Sequence, residues 1–252
     1  MEEVLTGRNP VVEALRAGRP IQKILLARDI SRHSIIGEIL HLAKGKGIPV
    51  EYVPAVVFRK HSVALRHQGV IAYTAAKAYH SLEDLFRISK EKGEAPLYCI
   101  LDGIEDPQNL GAILRTAEAS GTHGIIIRTR RAVGLTDTVA KASAGAIEYL
   151  PVAQVANIAQ TIIRLKEEGI RITGVNPTGR EDYRRVDFTM PVAIVIGGEG
   201  KGICELVKKK CDYLVSIPMR GKISSLNASV AAALAMYEAF HQRQAATHHK
   251  AN

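Results

Sequence analysis

The chain has 252 residues, 46% hydrophobic and 23% charged, an ordinary globular composition and enough length for two domains with separate cores. No apolar run approaches the ~20 residues of a membrane helix, and the acidic start Glu2-Glu3 lacks the basic-then-apolar profile of a secretory signal, so a cytoplasmic protein is expected. A formal net charge of +9 points to a polyanionic partner, since Lys and Arg that neutralise phosphates supply most non-specific nucleic-acid affinity; a basic surface kept for solubility gives the same total.

Helix and strand signals alternate along the chain, the pattern of an α/β protein with mostly parallel sheets. Asn9-Pro10 predicts a helix cap and first helical residue, with the helix stopping near Gly18. A strand over Ile24–Ala27 follows, then a helix whose Ile35, Ile36, Ile39, Leu40 and Ala43 recur at helical spacing. Two further strands are predicted at Pro49–Val53 and Gly69–Tyr73, flanking a short basic helix around Phe58-Arg59-Lys60. Residues 1–75 are thus one small α/β domain, and 76–95 are expected to be a linker, a connecting helix that ends in the polar run Lys90–Glu94. Beyond it, strands at Leu97–Leu101, Ile125–Ile127, Ile170–Val175, Val192–Ile196 and Tyr213–Ile217 alternate with helices to form a second α/β domain over 96–244, with 245–252 as a polar tail. The adjacent His248 and His249 read as solvated tail residues. Cys99, Cys204 and Cys211 lack CxxC spacing or a nearby His cluster, so neither zinc nor a disulfide framework is expected.

Three segments of the second domain share one design, a buried strand followed by a polar or Gly-rich turn and then a helix. Ligands of open α/β sheets bind at the carboxyl ends of strands, so a site is expected at these turns. The first, Leu101 to Ala117, contains Asn109, readable as a helix cap or as a site residue, and Arg115, about one and two-thirds turns further on. The second, Val195-Ile196-Gly197-Gly198-Glu199-Gly200-Lys201-Gly202-Ile203, fits neither a dinucleotide fingerprint, which would need Gly or Ala at 203, nor a phosphate loop, which would need Ser or Thr after Lys201. The third, Ser216 to Val230, packs Ser225, Asn227 and Ser229 at the start of the alanine-rich helix Ala231–Ala235, although one such group suffices for a cap.

Together these motifs, in this order, resemble the SpoU family of RNA ribose methyltransferases in the SPOUT superfamily, over about residues 96 to 240. Asn109 and Arg115, Gly197-Gly198-Glu199-Gly200, and Ile217-Pro218 followed by Ser224-Ser225-Leu226-Asn227-Ala228-Ser229 carry the likeness, and Lys141–Ala146 resembles the family's intervening segment. Ala228 departs from the Val of many relatives, a change of packing more than of chemistry. The first domain resembles the family's L30e-like RNA-binding module, including His67-Gln68-Gly69-Val70, and the arrangement is closest to the 23S rRNA guanosine type. The resemblance implies a C-terminal SPOUT domain with a trefoil knot, which chain physics alone would not propose. It further implies S-adenosylmethionine as methyl donor without a metal, held around Gly197, Gly198, Ile217, Met219 and Leu226, and a homodimer through the catalytic domain. Asn109, Arg115, Glu199, Ser225 and Asn227 are the implied catalytic set.

In-line methyl transfer leaves a neutral thioether, so the demanding partner is the ribose 2′-hydroxyl, which must lose its proton as the bond forms. A guanidinium ordinarily stays protonated, which favours Arg115 as an electrostatic clamp on the developing alkoxide or an adjacent phosphate, with deprotonated Arg as base the other reading. Glu199 and Asn109 would orient Arg115 or the ribose. The basic loops Arg128–Arg131 and Arg59 through His67 are candidates to track RNA backbone or are plain solvated loops. A tRNA ribose methyltransferase and a non-catalytic RNA-binding protein on the same fold are the alternatives.

Overall fold

The computed structural model describes residues 2–31, 33–61 and 68–250, with backbone alone for 2, 59–61 and 248–250. The chain divides into two compact units, one of residues 1–78 and 135–149, the other of 79–134 and 150–252.

In the first unit, β1 (Glu2–Thr6), α1 (Arg8–Arg16), β2 (Ile21–Ala27), α2 (Ser34–Gly45), β3 (Val50–Val53), α3 (Ala55–His61) and β4 (Val70–Ala75) follow one another. The sheet order is β1-β4-β2-β3, antiparallel except for β2 with β3. Leu5, Leu15, Ile24, Leu26, Ile39, Phe58 and Ile71 are fully buried. The strand β1 was not expected: its start, Glu2-Glu3, is too polar to read as a strand, yet Leu5 is buried and the segment pairs with β4 from Glu2 to Thr6. Its presence moves the first helix cap from Asn9 back to Gly7, at φ 107°, and leaves Asn9 inside α1. The basic stretch from Arg59 through His67 lies outside the described side chains.

The second unit opens with α4 (Leu82–Lys92), followed by β5 (Leu97–Asp102), α5 (Pro107–Ala119) and β6 (Gly124–Arg128). The next helix, α6 (Asp137–Ala142), belongs to the first unit. The chain then returns through β7 (Val152–Val155), α7 (Ile158–Glu167), β8 (Arg171–Val175), β9 (Glu181–Asp182), β10 (Val192–Gly197), α8 (Glu205–Lys208), β11 (Tyr213–Ser216) and α9 (Ala228–Lys250). All pairs in the sheet β7-β6-β5-β10-β8-β11-β9 are parallel. The central strands are apolar up to their carboxyl ends because both faces are covered, as in β5, where all six residues, the terminal Asp102 included, are buried. Strands β7 and β9 are absent from the sequence-based expectation; β9, at two residues, is too short for any period to register.

Two segments expected to connect or to end the chain are helical. Residues 76–95 are not a bare linker: Ser81 and Asp84 form a reciprocal capping box, Gly93 closes the helix in the left-handed region, and Leu85 is buried in the second unit's core beside Tyr98 and Ile126. Of the expected polar tail 245–252, the residues up to Lys250 continue α9. The Gln242 side chain accepts from Phe188 N at 2.9 Å, while Arg243 donates to Phe188 O at 2.9 Å and Pro96 O at 3.0 Å. Polar side chains here satisfy backbone groups at the sheet's lower edge rather than facing water.

At that edge His123 is buried, its Nδ1 accepting from Leu97 N at 3.1 Å and its Nε2 lying 3.2 Å from Glu94 Oε2. Burial foremost, then the Lys92 charge, pushes its pKa below the ordinary 6.5, with Glu94 opposing. The accepting Nδ1 also requires the neutral ring. Stability from this group is therefore full above pH 6.5 and declines as the pH falls below it, where the unfolded imidazole binds a proton that the folded one resists. Urea midpoints at pH 7.5 and pH 5 should differ, and His123→Gln should narrow the gap; an unaltered gap assigns it to other groups.

Candidate active site

The turns after β5, β10 and β11 meet at the carboxyl edge of the sheet, as the strand-end rule requires. The first is set by Asp106, which caps α5 by accepting from Asn109 N at 2.8 Å, with Pro107 in the first turn. Asn109 is thus not the cap. It sits in the first turn with its side chain free to work elsewhere, and it is 8% exposed.

That side chain joins a cluster drawn from all three motifs. Asn109 Nδ2 donates to Glu199 Oε1 at 2.8 Å, and Asn227 Nδ2 donates to the same oxygen at 2.9 Å and to Asn109 Oδ1 at 3.0 Å. The side-chain Oδ1 of Asn227 accepts from Ser229 N at 2.9 Å and Ser229 Oγ at 2.6 Å, which anchors Asn227 to the start of α9. Two carboxamides therefore fix one carboxylate oxygen of Glu199, while its other oxygen has no hydrogen-bond partner among the described residues. A carboxylate held in this way presents its free oxygen as an acceptor at no further ordering cost.

A cleft of about 480 Å3 opens beside the cluster, walled by Ile196, Ile217, Met219 and Leu226, with the 197–202 turn as its floor. The glycines of that turn are structural: a Cβ on Gly197 would lie 2.1 Å from the Gly202 carbonyl carbon, and one on Gly198 would lie 2.1 Å from Gly103 O. Any side chain would pry the turn from its neighbours. The cleft volume lies within the range of small-molecule sites, and apolar side walls with a main-chain floor suit a flat nucleoside with a polar rim. These residues fit S-adenosylmethionine. All five expected cofactor residues, Gly197, Gly198, Ile217, Met219 and Leu226, line this cleft, and so do Glu199 and Ser225.

Arg115 is placed differently. Six residues beyond Asn109 on α5, it is rotated by ~120° and displaced ~9 Å along the axis, so it is exposed and meets neither Glu199 nor Asn109 within the chain. The orienting contact expected between them is absent from a single copy. Ser225 is exposed and has no hydrogen bond among the described residues. Two contributors were not anticipated. Asn176 follows β8, is 5% exposed and lines the cleft while its Oδ1 accepts from Thr178 N at 2.9 Å; the strand-end rule applied to β8 would have found it. Asp102, at the end of β5, accepts from Cys204 N at 2.7 Å and pairs with Arg128 at 2.6 Å, which fastens the 198–204 turn from behind. Of the thiols, Cys99 is buried, its pKa pushed up to about 12 by burial, whereas Cys204 is exposed. Among the described residues no group of three or more His, Cys, Asp or Glu is placed to hold a metal, and no helix is long and apolar enough to cross a membrane.

Comparison with known proteins agrees with this geometry. Residues 96–237 match the SpoU rRNA Methylase family, and residues 4–80 match the family of RNA 2'-O ribose methyltransferase substrate-binding domains. YacO of Bacillus subtilis (strain 168), named for the TrmH family of tRNA/rRNA methyltransferases, is 49% identical over 241 residues, 96% of either chain. A similarly named protein of Staphylococcus saprophyticus is 49% identical over 244 residues, 96% of this chain and 97% of its own. The SpoU methyltransferase AviRb from Streptomyces viridochromogenes, in complex with the cofactor AdoMet, superposes with a TM-score of 0.81 at 27% identity, covering 96% of this chain and 91% of AviRb.

Proposed function

The chain belongs to the SpoU family and is an S-adenosylmethionine-dependent RNA ribose methyltransferase, and from that premise we propose that its target is a guanosine 2′-hydroxyl of 23S rRNA, methylated in the cytoplasm by a homodimer. The observation that supports the chemistry is the carboxylate of Glu199, fixed by Asn109 and Asn227 on the rim of the cofactor cleft. S-adenosylmethionine supplies a methyl group bonded to a sulfonium, so transfer releases a neutral thioether. The free oxygen of Glu199 would accept a hydrogen bond from the 2′-hydroxyl, orient it and take up its proton as the hydroxyl oxygen gains the methyl group. Ser225, on the cleft wall, completes the acceptor side, while Ile217, Met219 and Leu226 cover the nucleoside and exclude water.

Arg115 enters from a second copy. It lies on α5 between Ala112 and Thr116, which line a shallow apolar groove with Val230, Leu234 and Tyr237 of α9. Those three α9 side chains are 45%, 38% and 47% exposed, an apolar strip that a symmetric partner would cover. From there the guanidinium stabilises the developing alkoxide as a protonated clamp. The knotted course of the C-terminal part belongs to the same reading and is supported by the strand order, since the chain leaves β9, crosses to β10 beyond β8 and returns to β11 between β8 and β9. The first unit is the RNA-selecting module.

Mass-spectrometric mapping of ribose methylation in total RNA from a deletion strain tests the target. Loss of one 2′-O-methylguanosine from 23S rRNA is expected; loss from a tRNA instead establishes the alternative substrate, and an unchanged map overturns both. Calorimetric titration in chelator should show S-adenosylmethionine binding that the chelator does not weaken.

A further inference from the structure

We propose that Arg131 and Lys201 hold a phosphodiester of the RNA next to the target ribose, in a second cleft that shares Glu199 with the cofactor cleft. This deepens the functional reading above and rests on it. The second cleft, also about 480 Å3, lies between the β5–α5 turn, the end of β6 and the 198–204 turn. Because Gly198, Glu199, Lys201 and Gly202 line both clefts, a nucleotide seated in the second has its ribose at the shared wall, in reach of a methyl group delivered from the first.

The charges lining this cleft separate into committed and uncommitted groups. Asp102 is committed to Arg128 and Cys204 N, Asp106 to the backbone of α5, and Glu199 to its two carboxamides. The side chains of Arg131, Lys201 and Glu105 make no ion pair or hydrogen bond with any described residue, which leaves a guanidinium and an ammonium in this cleft without a fixed acceptor. Arg128, although paired with Asp102, keeps a buried Nε with no acceptor among the described residues. Arg131 also adopts φ +57°, a left-handed backbone rare outside glycine. A ligand that offers a single negative charge and several acceptor oxygens to a planar guanidinium and an ammonium is a phosphodiester.

The test uses the full chain and in vitro-transcribed 23S rRNA, with Arg131→Gln, Arg131→Lys, and Arg164→Gln on α7 as a variant that removes the same charge outside the cleft. Each is measured for RNA affinity at several salt concentrations, KM and kcat for RNA, and S-adenosylmethionine affinity. Arg131→Gln should raise KM for RNA at least ~10-fold and reduce the slope of log affinity against log salt by about 0.7 to 0.9, with cofactor affinity kept within about twofold. Arg131→Lys should restore the slope but only part of the KM, and Arg164→Gln should match wild type. An unchanged slope in Arg131→Gln, an equal drop in Arg164→Gln, or a parallel loss of cofactor affinity would overturn the proposal. Wild-type protein that binds the rRNA but methylates no RNA sinks the functional reading instead, and the slope comparison still decides this one.

Discussion

Arg115→Ala is expected to lower single-turnover methyl transfer by about 10²–10³-fold, the cost of losing one preorganised donor to a developing oxyanion, while S-adenosylmethionine binding stays at the wild-type level. The second half follows from geometry, because Arg115 lies outside the residues that line the cofactor cleft. Arg115→Lys should recover little, since an ammonium keeps the charge but not the planar fork. Whether the residue acts on its own chain's site or on its partner's is decided by mixing. If Arg115 works across a dimer, mixing inactive Arg115→Ala and Glu199→Ala proteins creates heterodimers with one intact site, and random exchange should return roughly a quarter of wild-type activity. Inactive mixtures whose subunits have demonstrably exchanged would put Arg115 and Glu199 in the same chain's site. Sedimentation showing a monomer at micromolar concentration would remove the partner altogether.

The legible part of this site was its chemistry, and the hidden part was its bookkeeping. Asn109, Glu199 and Asn227 stood out because each is a short polar group at a strand-to-helix turn, and the fold does bring them within 2.8 to 3.0 Å of one another. What the chain order concealed was which polar group caps which helix. Asp106 takes the α5 cap and releases Asn109, a division that becomes visible only once Pro107 is seen to fix the first turn. Asp102 was hidden for a related reason: a carboxylate ending an apolar strand reads as the strand's polar terminus, and its partners, Arg128 and Cys204 N, come from other elements. At the level of the fold, apolar runs such as β5 and β10 were readable because both faces are buried. The two-residue β9 lacks the length for any period to register.

The domain boundary is where the structure alters an expectation most, and it changes what truncation should do. Two cores separated by a polar connector suggest that a protein beginning at Glu94 would fold and bind S-adenosylmethionine by itself. That cut removes Leu85 from the second unit's core, a loss of about 2–5 kcal/mol by analogy with large-to-small core substitutions. It also strips residues 135–149 of the unit they pack into. Val139 and Ile147 in that segment are buried, and the Glu148 side chain, 1% exposed, is held by Arg19 at 2.7 Å and Lys77 at 3.3 Å, both of which the cut deletes. Asp137 likewise loses Thr6, whose N and Oγ donate to it at 2.8 and 2.9 Å. The truncated protein should therefore aggregate or melt well below the full chain, and its loss of methylation would say nothing about RNA selection. A cleaner probe keeps the full length: Arg19→Ala should cost about 3–5 kcal/mol by leaving a buried carboxylate short of a partner, and Arg19→Ala with Glu148→Gln should recover part of it by removing the charge. Urea denaturation of the two variants measures the difference. If the truncated protein shows a single cooperative transition at the full-length midpoint, the N-terminal module is separable after all, and if Arg19→Ala costs under ~1 kcal/mol, the ion pairs of Glu148 contribute little to the first unit's stability.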